Sequence, residues 1–226
     1  MKKLNRLILI LIMISAWNCQ NERISKSIEG DIYGLKKGTV YLNLFRGDSL
    51  IPVDSLRLKG TGHFVFKTDT VSPQLAVITV KELPDAYLMF FIDDTLMKIS
   101  TELKKMGLKK RIEGGINHRY WEAYQNMVKQ MNDKRLDVIK QKWEAAKNND
   151  SVRLKEAEDQ LISIEKRFKY FAYHFAAKHA QWPVGAYVAW ENFRNNQTVL
   201  DSLYHRFSPE VRRSVYGKYI AGKINK

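Results

Sequence analysis

The feature that most constrains this chain is a change of hydrophobic period at Gly114-Gly115. Before it, apolar and polar residues alternate, as in a strand with one buried face. After it, apolar residues recur every three or four positions, as on a helix with one buried stripe. Strands grouped first and helices second argue for separate β and α layers rather than alternating βα units. The expected fold class is α+β. An N-terminal antiparallel β-sandwich or open barrel should occupy residues 27–115, followed by a helical domain over residues 116–226 with a long helical hairpin.

In the β part, Gly38-Thr-Val-Tyr-Leu-Asn-Leu-Phe45 puts Val40, Leu42 and Leu44 on one face, and Gly47-Asp48 supplies a turn. Val53 to Lys59, His63 to Lys67 and Gln74 to Val80 follow as strands, punctuated by Gly60-Thr-Gly62 and Pro73. Tyr87 to Ile92, a turn at Asp93-Asp94 and Leu96 to Thr101 read as a hairpin. In the helical part, Asn117 is expected to cap a helix through Trp121, Tyr124, Val128 and Met131. The polar run from Asn148 to Ser151 breaks it. A second helix carries Leu154, Ala157, Leu161, Ile164, Phe168, Phe171 and Phe175 at heptad spacing, so the two should fold back on each other. Shorter helices follow Trp182-Pro183, the last opened by Ser208-Pro209-Glu210.

The first residues concern location. Lys2, Lys3 and Arg6 precede the apolar run Leu7 to Trp17, and Cys19, the only cysteine, closes the segment after Asn18. A spanning helix needs roughly 20 apolar residues and a signal-peptide core about 7–15, so this run suits cleavage rather than spanning. Residues 1–18 are read as a signal peptide and residues 19–26 as a lipidated tether, with Cys19 the lipidation site. Trp17 and Asn18 depart from the small residues usual before such a cysteine. An ordinary signal peptide, or an uncleaved anchor with a bystander cysteine, are the rival readings. A single cysteine forms no disulfide within one chain, and a spare thiol is a liability in an oxidising compartment, which favours its consumption by lipid. The expected location is the bacterial cell envelope, anchored to the inner or outer membrane, with the body facing the periplasm or the exterior.

The formal charge is +14, of which Lys2, Lys3 and Arg6 belong to the leader. An exported protein rarely meets nucleic acid, so no nucleic-acid partner is expected. Anionic head groups are one counterpart for the cations; the plainer and preferred reading is that lysines solvate the long helices. Of the five histidines, His174 and His179 are five apart and so do not share one helical face, and no metal site is expected. Asp93-Asp94 is read as turn chemistry, and Gly60, Gly62, Gly114 and Gly115 as turn glycines rather than a phosphate loop. Phe168, Tyr170, Phe171, Tyr173 and Phe175, with Trp182, Tyr187 and Trp190, are candidates for an apolar groove; packing at helical spacing is the simpler role. No catalytic residue and no cofactor are expected.

Ile28-Glu-Gly30, Gly38-Thr-Val-Tyr-Leu, Asp54-Ser55, Gly62-His-Phe-Val-Phe66, Phe90-Phe-Ile-Asp-Asp94, Ile112-Glu-Gly-Gly115 and Asn117 with Trp121 together resemble the bacterial domain of unknown function 4369 family. The resemblance extends over residues 25–226 as sandwich plus helical segment. It implies an envelope lipoprotein, often one in which a thioredoxin-like Cys-x-x-Cys domain follows the helices. The family's redox residues have no counterpart in a sequence whose only cysteine is Cys19, so none carries over. The expected role is non-enzymatic: a membrane-anchored protein that binds or scaffolds, held to the membrane by its lipid, with a thioredoxin-like or other envelope protein as its candidate partner. Two alternatives stand beside it, a truncated or split thiol-disulfide oxidoreductase lipoprotein and a carrier of an apolar ligand.

Overall fold

The computed structural model describes residues 27–225, except residues 48, 68–71 and 94–95. The expected signal peptide and lipidated tether, with Cys19, and Asp94 lie outside the described residues. Among the described residues eight strands come first: β1 Ser27–Tyr33, β2 Lys37–Arg46, β3 Ser49–Lys59, β4 His63–Lys67, β5 Gln74–Val80, β6 Leu83–Ile92, β7 Met97–Glu102 and β8 Lys110–Glu113. They form two four-stranded sheets, ordered β4-β1-β7-β8 and β3-β2-β5-β6. Alternation aims Ile28, Ile32, Phe64, Phe66, Met97 and Ile99 of the first sheet at Val40, Leu42, Ile78, Leu88 and Phe90 of the second, and all are buried in one core. The sheets remain open, so the β part is a sandwich and not a barrel.

Two expectations change. The sandwich is not wholly antiparallel, because β1 pairs parallel with β7, Ile28 opposite Met97 and Tyr33 opposite Glu102. The segments on either side of Asp93-Asp94 do not form a hairpin either: β6 and β7 belong to different sheets. At Asp93 the turn chemistry is overridden, because the residue is buried and its carboxylate serves the helical layer instead.

Six α-helices follow among the described residues: α1 Ile116–Lys147, α2 Ser151–Lys178, α3 Pro183–Phe193, α4 Gln197–Arg206, α5 Pro209–Arg213 and α6 Val215–Ile224. The hairpin of α1 and α2 forms as the heptad spacing predicts, with Tyr124 stacked on Phe171 (ring centroids 5.6 Å, planes 7° apart) and packed against Phe175. Asp150 caps α2 by accepting from the Arg153 N–H at 3.0 Å, and Ser208 caps α5 by accepting from Val211. At 32 and 28 residues the two long helices measure about 48 and 42 Å. Past Val128, α1 buries only Val138 and Ala145, while Leu136 and Trp143 are exposed, so the far part of the hairpin packs chiefly on itself.

The helical layer covers the outer face of the second sheet. β5 is buried on both faces: Ala76 and Ile78 point into the sandwich, while Leu75 joins Phe91 of β6 in a second core with Trp121, Phe175, Val184, Leu203 and Ile220. The molecule is thus three layers, sheet, sheet and helices. No helix among the described residues is long and apolar enough to cross a membrane.

Candidate functional site

The chemistry of the described chain concentrates at the seam between the second sheet and the helices. Asn117, expected as the cap of α1, sits instead in its first turn, after Gly115. Its backbone N–H donates to Asp93 Oδ2 at 2.6 Å, and its side-chain Nδ2 donates to Asp93 Oδ1 at 3.1 Å. The side-chain Oδ1 of Asn117 in turn accepts from the backbone N–H of Val184, near the start of α3, at 3.0 Å. A strand-end carboxylate therefore caps α1, and a residue of α1 caps α3, so one buried relay ties three elements together. A carboxylate at a helix N-terminus also meets the positive end of the macrodipole. Glycine is required beside it: Gly115 has φ of 78°, and a Cβ there would stand 2.6 Å from Asp93 Oδ2.

The next residue, His118, is also buried. Its Nδ1 accepts from the Phe91 N–H at 3.3 Å, which places the ring proton on Nε2; Nε2 has no partner among the described residues. Burial, with a smaller push from Lys110, lowers the His118 pKa from 6.5 to about 4. Lys110 itself lies 5.5 Å from the Trp121 ring centre and donates to the Met89 carbonyl at 3.4 Å; burial lowers its pKa too.

A pH dependence follows. Between pH 6.5 and 4 the unfolded chain protonates His118 while the folded one does not, so acid favours unfolding there. Stability should fall by up to about 3 kcal/mol as pH drops through that window. Urea unfolding across the range, compared with His118→Gln, measures it; the variant should lose most of this slope. An unchanged slope would show that His118 is not the group responsible.

Two clefts open at the seam. One, about 870 Å³, is bounded by Pro73, Asp93, Gly115, Arg119, Trp182 and Arg213. The other, about 400 Å³, is lined by Phe45, Leu75, Tyr187, Trp190, Tyr216 and Tyr219. In the second, the Tyr216 hydroxyl accepts from the Leu75 N–H at 3.1 Å, and burial raises the pKa of both Tyr216 and Tyr187. Both phenols therefore stay protonated and act as neutral hydrogen-bonding groups.

The aromatic residues singled out in the sequence do not share one groove. Phe171 and Phe175 fill the hairpin, Tyr170 is exposed, Trp182 borders the larger cleft, and only Tyr187 and Trp190 reach the smaller one. Tyr216 and Tyr219 complete the smaller lining from outside that aromatic set; helical spacing beside Ile220 marks a packed face and gives no sign that it meets a sheet. His174 packs on Tyr170 and His179 between Tyr120 and Phe175, while His63 pairs with Asp31 at 3.1 Å and His205 with Asp201 at 3.4 Å. Among the described residues no group of three or more His, Cys, Asp or Glu side chains could hold a metal ion.

No curated protein and no solved structure gives a significant match to this chain. A family match does exist, and it ends at Trp121, in the first turns of α1, leaving most of the helical layer outside it. Residues 27–121 match the family described as "Domain of unknown function (DUF4369)".

Proposed function

We propose that the protein is an envelope lipoprotein, anchored through Cys19, whose three-layer body has a non-catalytic binding or scaffolding role. The observation that carries the reading is the order of the first residues: a basic start, an apolar run too short to span, and, one residue after that run, the chain's sole cysteine. The seam adds support. Its acidic and amide groups are committed to capping helices, and its phenols are held protonated, an arrangement suited to holding layers together. The self-packed outer part of the hairpin offers a long surface for a second envelope protein, of which a thioredoxin-like one is the type that the family resemblance implies.

A second reading, a carrier of an apolar ligand, is favoured by the 400 Å³ cleft and its Tyr187, Trp190, Tyr216 and Tyr219 lining.

Anchoring is tested directly in cells. Radiolabelled palmitate should enter the wild-type protein, and Cys19→Ala should abolish labelling and release the body from the membrane fraction. Label that persists in the variant, or never enters the wild type, contradicts the anchor.

A further inference from the structure

The end of the sandwich away from the tether carries a surface that the preferred sequence reading, lysines solvating helices, does not account for. β1 runs parallel to β7, so Tyr33 and Glu102 lie at the same end, where β2 begins and β5 finishes. Four connections gather there, and hydrogen bonds brace them. Gly60 N–H donates to the Lys36 carbonyl at 2.7 Å, Ile32 N–H to Gly62 at 3.0 Å, and Lys81 N–H to Thr39 at 2.9 Å. In the fourth, after β7, the Thr101 hydroxyl lies 2.8 Å from the carbonyls of both Met106 and Lys109. Leu108 N–H also donates to the Lys105 carbonyl at 2.9 Å.

Leu108, at the tip of that braced loop, is 87% exposed, and Tyr33 nearby is 62% exposed. Around them stand exposed lysines: Lys36 and Lys37 at one connection, Lys81 at another, and Lys104, Lys105 and Lys109 beside Leu108. Of the carboxylates at this end, Glu82 accepts from the Thr39 N–H at 2.9 Å and Glu102 pairs with Lys109 at 3.1 Å; Asp85 lies nearer Tyr87 and the loop. The balance is basic, and Lys104 and Lys105 stand in no ion pair among the described residues.

We propose that this end is a second membrane contact, in which Leu108 enters the interface of an anionic bilayer while the surrounding lysines face its head groups. An apolar side chain held out into water among cations is complementary to one surface above others: negative charge outside, hydrocarbon beneath. Lysine stems add to the fit, since their methylenes lie along apolar surface while the ammonium stays wet. A soluble polyanion would match the charge and leave Leu108 in water.

The contact builds on the Cys19 anchor, and the geometry permits both. Ser27 leaves the sandwich at the opposite end, about 20 Å away along β1. Residues 19–26, if extended, reach up to about 28 Å, enough for the lysine end to touch the bilayer that holds the lipid.

The test uses the full chain reconstituted with vesicles of phosphatidylcholine, with and without phosphatidylglycerol. An environment-sensitive dye is placed by Leu108→Cys, and in a control by Val152→Cys at the start of α2; the wild type, treated alike, reports any labelling of Cys19. The dye at 108 should shift to the blue and be quenched by quencher-bearing lipid only when phosphatidylglycerol is present, while the dye at 152 stays aqueous. Lys104→Gln with Lys105→Gln should lower the docked-to-undocked ratio about thirty-fold, from two cations near the surface. If the chain floats with the vesicles but position 108 stays aqueous, or 152 responds equally, the contact is wrong and the anchor stands. If the chain does not float with either vesicle, both are wrong.

Discussion

Asp93→Ala should destabilise the folded chain by about 3 kcal/mol, the combined effect of a lost charged cap, a lost macrodipole interaction and a buried N–H left without an acceptor. The carboxylate is 5% exposed and takes both the backbone and side-chain N–H groups of Asn117, whose remaining oxygen caps α3. Removing it frees Asn117 to rotate, so the loss spreads from α1 to the start of α3. Asp93→Asn keeps an acceptor for the backbone N–H and should cost about 1 kcal/mol. Urea unfolding followed by circular dichroism separates the two variants. A loss for Asp93→Ala below about 0.5 kcal/mol, the range of ordinary surface substitutions, would mean that the relay does not hold the layers together.

Phe91→Ala should cost about 3–5 kcal/mol, the range for emptying a fully buried aromatic site. Phe91 is fully buried on the outer face of β6, with ring centres 6.0 Å from Tyr187 and 6.3 Å from Tyr216, and its N–H is the group that His118 accepts. Its neighbour Phe90 points the other way, into the sandwich. The two single variants should therefore fail differently. Phe91→Ala weakens the seam, so the helical signal in circular dichroism should melt before the β-sheet amide signal of the sandwich, followed by infrared spectroscopy, is lost. Phe90→Ala weakens the sandwich on which the helices rest, and both signals should fall together. Coincident transitions in both variants would show that the seam is not a separable layer contact.

Much of this architecture was legible in the sequence because its elements follow local rules. Val40, Leu42 and Leu44 alternate, and the stripe from Leu154 to Phe175 keeps heptad spacing, so strands and hairpin form where the period says. What the period does not carry is which sheet a strand joins. The parallel pairing of β1 with β7 rests on residues some seventy positions apart, and nothing near Ile28 names Met97 as its partner. Asp93 and Asn117 were misread for the same reason. Each has the local chemistry of its own turn or cap, and each was drawn into capping a helix distant in sequence. One sign of the third layer was present: Gln74 to Val80 is apolar at nearly every position, as a strand covered on both faces must be. The smaller cleft was legible only in part: Tyr187 and Trp190 are among the groove candidates, while the rest of its lining joins β2, β5 and β6 with α3 and α6, a meeting of elements distant in sequence.

The account's central claim is that the chain is held in the envelope through Cys19, and intact and peptide mass spectrometry of the protein extracted from cell membranes tests it most directly. The account predicts an N-terminal peptide that begins at Cys19 and carries the added mass of a diacylglyceryl group, with or without a further acyl chain. A mature N-terminus at any other residue, or an unmodified Cys19 within the membrane-extracted chain, would contradict it.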